Sequence, residues 1–112
     1  MDKQEALKIW DYELKGKDYA YDFAGRKIKK TDFNQKNSVG WVIGYLFPLE
    51  LGGKDYDGNR VIMHHETLEE KGLNYPEFSI LQKKYKVNHD DKEDYYYIEK
   101  LTNSDYDEGG LV

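Results

Sequence analysis

Gly40-Trp41-Val42-Ile43-Gly44-Tyr45-Leu46-Phe47-Pro48 is the most apolar run in the chain. Its β-branched and aromatic residues suit a strand, and the proline closes it because it brings no backbone N–H to a ladder. The run therefore predicts a strand central to the core. Downstream, Gly52-Gly53 and Asp57-Gly58 mark two loop points, and Val61-Ile62-Met63 predicts a short strand. His65 to Lys71 then offers about two helical turns before Gly72. The middle of the chain thus reads strand, loop, strand, helix.

Upstream, Ala6, Leu7, Ile9, Trp10 and Leu14 recur at spacings of three and four, which predicts an amphipathic helix from Asp2 to Lys15, stopped by Gly16. Tyr19, Tyr21 and Phe23 alternate with smaller or polar residues before Ala24-Gly25, so Tyr19 to Lys30 predicts a short hairpin. Asp32 to Gly40 is rich in turn formers. Beyond Tyr75-Pro76, Phe78 to Val87 and Tyr95 to Leu101 predict two more strands joined by the polar turn Asn88 to Asp94. The expected fold is α+β: one domain over 1–112, with a core motif at 41–71, an N-terminal helix and hairpin at 2–36, a C-terminal β-hairpin at 77–101 and a frayed tail at 103–112.

Composition narrows the function classes. At 112 residues the chain has room for one compact core and none for a second catalytic lobe. Charged residues make up 35% of it, yet 11 Tyr, 4 Phe and 2 Trp bring the contact area that a disordered chain lacks. A net charge of −5 disfavours sequence-independent grip on a phosphate backbone and favours a basic partner. With no cysteine, neither a disulfide framework nor a thiolate metal site is possible. No apolar run is long enough to span a membrane, and Met1-Asp2-Lys3-Gln4-Glu5 does not read as a signal peptide, so a cytoplasmic location is expected.

The residues Trp41, Ile43, Pro48, Gly52, Gly53, Asn59, His64 and Lys71, in this order and spacing, resemble the HNH (ββα-metal) nuclease motif of small bacterial and phage domains. Asp22-Phe23-Ala24-Gly25-Arg26 and Asn34-Gln35-Lys36-Asn37-Ser38 look like the lead-in of one bacterial HNH subgroup. The spacings of 14 residues from Tyr45 to Asn59, nine to Leu68 and three more to Lys71 are also similar to those of the nuclease domain of type II CRISPR effectors. In that family an aspartate and a helix Asn or His hold one divalent ion, and the His after the aspartate activates water. Carried over by position, the aspartate falls on Gly44, the base on Tyr45 and the helix ligand on Leu68. Glycine and leucine offer no ligand, and a phenol with an ordinary pKa near 10 is a poor base at neutral pH. The resemblance therefore implies a scaffold kept and a site emptied: no enzyme, no metal and no cofactor, with Asn59 still able to tie the loop.

Three other groups invite a function. His64 and His65 stand beside Glu66 and Glu69, but adjacent side chains diverge on a regular element, so packing is expected rather than joint ligation of an ion. His89, in an Asp-rich turn, is expected to be solvated. Arg26, Lys27, Lys29 and Lys30, with Phe23 and Phe33 nearby, form a basic patch of the kind that holds nucleic acid. Asp90, Asp91, Glu93, Asp94, Glu99, Asp105, Asp107 and Glu108 are eight carboxylates within 19 residues, with Tyr95, Tyr96, Tyr97 and Tyr106 among them. Asp90, Asp91, Glu93, Asp94, Tyr95, Tyr97 and Glu99 are the candidate partner surface, since acidic groups steer toward a basic groove while tyrosines supply contact area. The expected function is inhibition of a nucleic-acid-processing protein, as in a phage or mobile-element anti-defence protein such as an anti-CRISPR. The alternatives are an HNH endonuclease whose site has moved to His64, His65 or nearby carboxylates, and a non-catalytic nucleic-acid binder working through the basic patch.

Overall fold

The structure, a computed structural model, describes residues 1–101. The fold is α+β. In chain order it comprises α1 (Lys3–Leu14), β1 (Tyr19–Tyr21), β2 (Lys27–Lys29), β3 (Trp41–Tyr45), β4 (Arg60–His64), α2 (His65–Lys71), β5 (Glu77–Ile80), β6 (Lys83–Asp90) and β7 (Tyr95–Lys100), with single 3-10 turns at Lys30–Asp32, Leu49–Leu51 and Asp57–Asn59. Strands pair as β1-β2, β3-β4 and β5-β6-β7. Leu46 N–H donates to Asn59 C=O and His65 N–H to Gly40 C=O at the two ends of β3-β4, as an antiparallel ladder requires. The expected sequence of strand, loop, strand and helix over 41–71 is present.

Two compact units divide the chain: 1–44 with 61–69, and 45–60 with the described residues from Glu70 onward. In the first, Asp2 Oδ1 accepts the Glu5 N–H at 2.8 Å and so caps α1, which ends at Lys15 in the left-handed region. The core here is Ala6, Trp10, Ile28 and Trp41, all within 1% of complete burial, with Leu7, Leu14, Phe33, Ile43 and Ile62 packed around them. The Trp10 and Trp41 rings meet at 4.7 Å between centroids and 44°. Each indole N–H has a carbonyl acceptor, Lys17 C=O for Trp10 and Lys30 C=O for Trp41, so neither polar handle is stranded.

The second unit is built on the three-stranded sheet. Phe78, Ile80, Tyr85 and Val87 alternate with exposed or half-buried neighbours and form its buried side. The C-terminal region is therefore three strands, which corrects the hairpin expected from the sequence: Phe78 to Val87 is interrupted by a turn at Leu81 and Gln82, both with positive φ (51° and 68°). Leucine and glutamine carry none of the usual signals for such a turn, since that conformation favours Gly or Asn. The tail at 103–112, with Asp105, Tyr106, Asp107 and Glu108, lies outside the described residues.

Candidate functional site

The loop between β3 and β4 is shaped by Asn59 and two glycines. Asn59 is wholly buried, and its amide makes three hydrogen bonds to backbone: Oδ1 accepts from Phe47 N–H at 2.8 Å, and Nδ2 donates to Phe47 C=O at 2.9 Å and Lys54 C=O at 2.8 Å. Pro48 C=O accepts from both Leu51 and Gly53 N–H, and a Cβ on Gly53 would collide with Phe47 C=O. Gly52 has φ 109°, a left-handed conformation that glycine adopts without cost. Asn59, Pro48, Gly52 and Gly53 thus build one tight loop.

At the positions where the resemblance places metal ligands, the surroundings are apolar. A Cβ on Gly44 would stand 2.8 Å from Met63 Cε, 3.3 Å from its Sδ and 3.5 Å from Leu68 Cδ1. Met63 is wholly buried, so its thioether and the Leu68 side chain occupy the space in front of Gly44. This donor set does not fit a divalent ion, which needs carboxylate or imidazole ligands. Tyr45 carries its hydroxyl to Asp55 Oδ1 at 2.9 Å. Arg60 donates to that same oxygen, from Nε at 3.0 Å and from Nη2 at 2.9 Å. Burial, then the Asp55 carboxylate, raise the Tyr45 phenol above its ordinary value, which makes it a fixed proton donor and no base at neutral pH.

Asp22, named in the sequence only as part of a lead-in segment, has a structural role in the first unit that sequence reasoning did not assign. Asp22 is 7% exposed and its carboxylate accepts four hydrogen bonds. Oδ1 takes Ala24 N–H at 3.0 Å and Arg26 N–H at 2.9 Å, while Oδ2 takes His64 N–H at 3.0 Å and the Thr67 hydroxyl at 2.6 Å. The sequence signals are its place at the head of Asp22-Phe23-Ala24-Gly25-Arg26 and its position two residues before the turn pair Ala24-Gly25, where Asx turns form. His64 and His65 are both buried, as the packing expectation had it, but their rings stack at 4.4 Å instead of diverging. His64 ends β4 and His65 begins α2, so the strand-to-helix turn brings neighbours face to face. His64 Nε2 lies 2.9 Å from Ser38 C=O and His65 Nε2 lies 2.7 Å from Asn37 C=O. A carbonyl only accepts, so both Nε2 atoms carry protons.

The residues of the basic patch each have a partner within the first unit. Arg26 Nη1 donates to Thr67 Oγ1 at 3.0 Å, and Lys30 pairs with Asp11 at 2.9 Å. Lys27 and Lys29 lie over the Tyr19 ring, 4.5 and 5.6 Å from its centroid.

In the acidic region, the structure separates turn-building carboxylates from exposed ones. Asp90 Oδ1 accepts the N–H groups of Lys92 and Glu93, both at 3.0 Å. His89 is paired where solvation was expected: Nδ1 meets Asp91 at 2.7 Å and Nε2 meets Asp94 at 2.8 Å. Hydrogen bonds to Asp94 and then Asp91 raise the His89 pKa, and those from His89 and then Tyr56 lower that of Asp94. Burial and then Asp94 push the Tyr56 phenol up to about 12. Pairing of Tyr95 with Asp90, Tyr97 with Asn88 and Glu99 with Lys86 puts all six on one face of the sheet, so that face mixes tyrosine with both signs of charge. Tyr95 and Tyr97 are 41% and 45% exposed, with ring centroids 5.8 Å apart.

The chain matches no protein-family model, no curated protein and no solved structure.

Proposed function

We propose that this chain is a catalytically inactive HNH-like protein that acts by binding another protein. The observation that carries this reading is the packing of Met63 and Leu68 against Gly44, where a nuclease of the family would need two metal ligands. The Asp55-bound Tyr45 hydroxyl supports it, since that group holds its proton where a base must lose one. The loop held by Asn59 and Gly53 supports retention of a nuclease-like frame. An anti-defence inhibitor of the anti-CRISPR kind, acting in the host cytoplasm on a basic nucleic-acid-processing effector, fits a chain of net charge −5. No helix among the described residues is long and apolar enough to cross a membrane.

The binding surface is the β6-β7 turn with its flanking strand: Asp91, Glu93, Tyr95, Tyr97 and Glu99 present side chains there, while Asp90 and Asp94 chiefly hold the turn. The test is interference by a type II CRISPR effector in cells that express this protein. Wild type restores transformation by a targeted plasmid. The Glu93→Lys/Tyr97→Ala variant loses that effect with an unchanged melting temperature. Full targeting in the presence of wild type, across type II effectors, contradicts the anti-CRISPR assignment.

A further inference from the structure

His65 Nδ1 is a buried nitrogen with no hydrogen-bond partner, in a residue only 8% exposed. Because Nε2 donates to Asn37 C=O, the neutral ring leaves a lone pair on Nδ1. One helical turn along α2, Glu69 Oε2 lies 3.8 Å from that nitrogen. The gap is too long for a hydrogen bond, and a lone pair facing a carboxylate oxygen is repulsive unless a positive centre stands between them. Two donors on a tetrahedral ion, each about 2.0–2.1 Å from the metal, sit roughly 3.3 Å apart. Glu69 has a side chain 60% exposed and closes the difference by a rotamer adjustment.

Donor atoms of His64, His65 and Glu66 also fall within 4.8 Å of one another. His64 itself contributes no lone pair, since its Nδ1 accepts Glu66 N–H at 3.0 Å and its Nε2 faces Ser38 C=O. Two cations already attend the carboxylates: Lys36 Nζ lies 3.5 Å from Glu69 Oε2, and Arg26 Nε lies 3.9 Å from Glu66 Oε1. The Lys36 side chain is 76% exposed and free to swing away. Imidazole with carboxylate suits zinc-type ions better than magnesium or calcium, which prefer all-oxygen shells.

We infer that His65 Nδ1 and Glu69 form a site for one transition-metal dication of the zinc class, its remaining positions completed by water. It is separate from the Gly44 and Leu68 positions and requires no hydrolytic activity. An ion there would fasten α2 to the loop at Asn37 through the His65 ring.

The test is calorimetric titration of the full chain with zinc chloride at neutral pH, alongside Glu69→Gln, Lys36→Ala and His89→Asn variants. Expected is one zinc per chain, an affinity weakened about tenfold or more by Glu69→Gln, strengthened by Lys36→Ala and unchanged by His89→Asn. Nitrogen NMR of the histidine rings should show the His65 Nδ1 resonance move on saturation. No saturable binding overturns the proposal, as does binding that Glu69→Gln leaves intact and His89→Asn removes. A His65 ring doubly protonated and unmoved by zinc overturns it too, because Glu69 would then face an imidazolium.

Discussion

Gly44 and Met63 are in contact so close that one extra carbon on Gly44 would stand 2.8 Å from Met63 Cε. A Cβ forces the buried thioether to move, so Gly44→Ala should cost about 1–3 kcal/mol. Met63→Ala alone should cost about 2–5 kcal/mol as a cavity. The double variant should be more stable than the sum of the two by about 1 kcal/mol, because each change relieves the other. Denaturant unfolding of the four proteins measures this, and strict additivity would show that the contact does not govern packing there.

The same contact bears on whether metal ligands can be introduced at positions 44 and 68. Gly44→Asp/Tyr45→His/Leu68→Asn leaves Met63 in the way, so the triple variant should bind no magnesium or manganese unless Met63 is also shortened. Metal titration of the triple and quadruple variants compares them directly. Tight binding by the triple variant would mean that Met63 yields more readily than its complete burial implies.

Asn59 is the loop's hydrogen-bonding hub, and Asn59→Ala would strand Phe47 N–H and two carbonyls. The expected loss is roughly 2–4 kcal/mol. Asn59→Asp keeps the acceptor and loses both donated bonds, so it should also destabilise. Thermal unfolding of both variants is the check.

Much of this was legible in the sequence, and the misses have physical causes. Trp41 to Tyr45 and His65 to Lys71 announced themselves by apolar content and helical length, and Asn59 by its place in the motif. The Leu81-Gln82 turn was hidden because tertiary pairing of β5 with β6 overrode the residues' own preference. Asp22 was hidden because its partners His64 and Thr67 lie 42 and 45 residues away. The contact of Met63 with Gly44 depends on cross-strand register, which residue type alone does not specify.

Lys71 is wholly buried, donates to Asn74 C=O at 3.3 Å and lies 5.3 Å from the Phe78 ring centroid. Burial lowers its pKa below the ordinary lysine value. Between the folded and unfolded pKa values the unfolded chain binds more protons, so stability should rise with pH through that window, up to about pH 10.4. Lys71→Met should remove this slope and leave stability within about 1 kcal/mol of wild type at neutral pH. Urea titrations across alkaline pH measure both effects.

The β6-β7 turn should have its own pH window. His89 has a raised folded pKa, so its contribution is full below its unfolded value and is lost as pH rises through the folded one. Asp94 has a lowered folded pKa, so its contribution is full above its unfolded value and is lost as pH falls through the folded one. Together they should hold the turn best from roughly pH 4 to roughly pH 6.5. Amide protection at Asp91 to Asp94, measured relative to the intrinsic exchange rate at each pH, should be greatest in that interval, and His89→Gln should flatten its alkaline side.

The proposed function requires that the chain bind a partner without cutting nucleic acid. Purified protein should be incubated with single- and double-stranded DNA and with RNA, in magnesium, manganese, nickel or zinc, with and without chelator. No cleavage above a protein-free control is expected in any of them. Chelator-sensitive cleavage that persists through repurification and disappears in Glu69→Gln would contradict it.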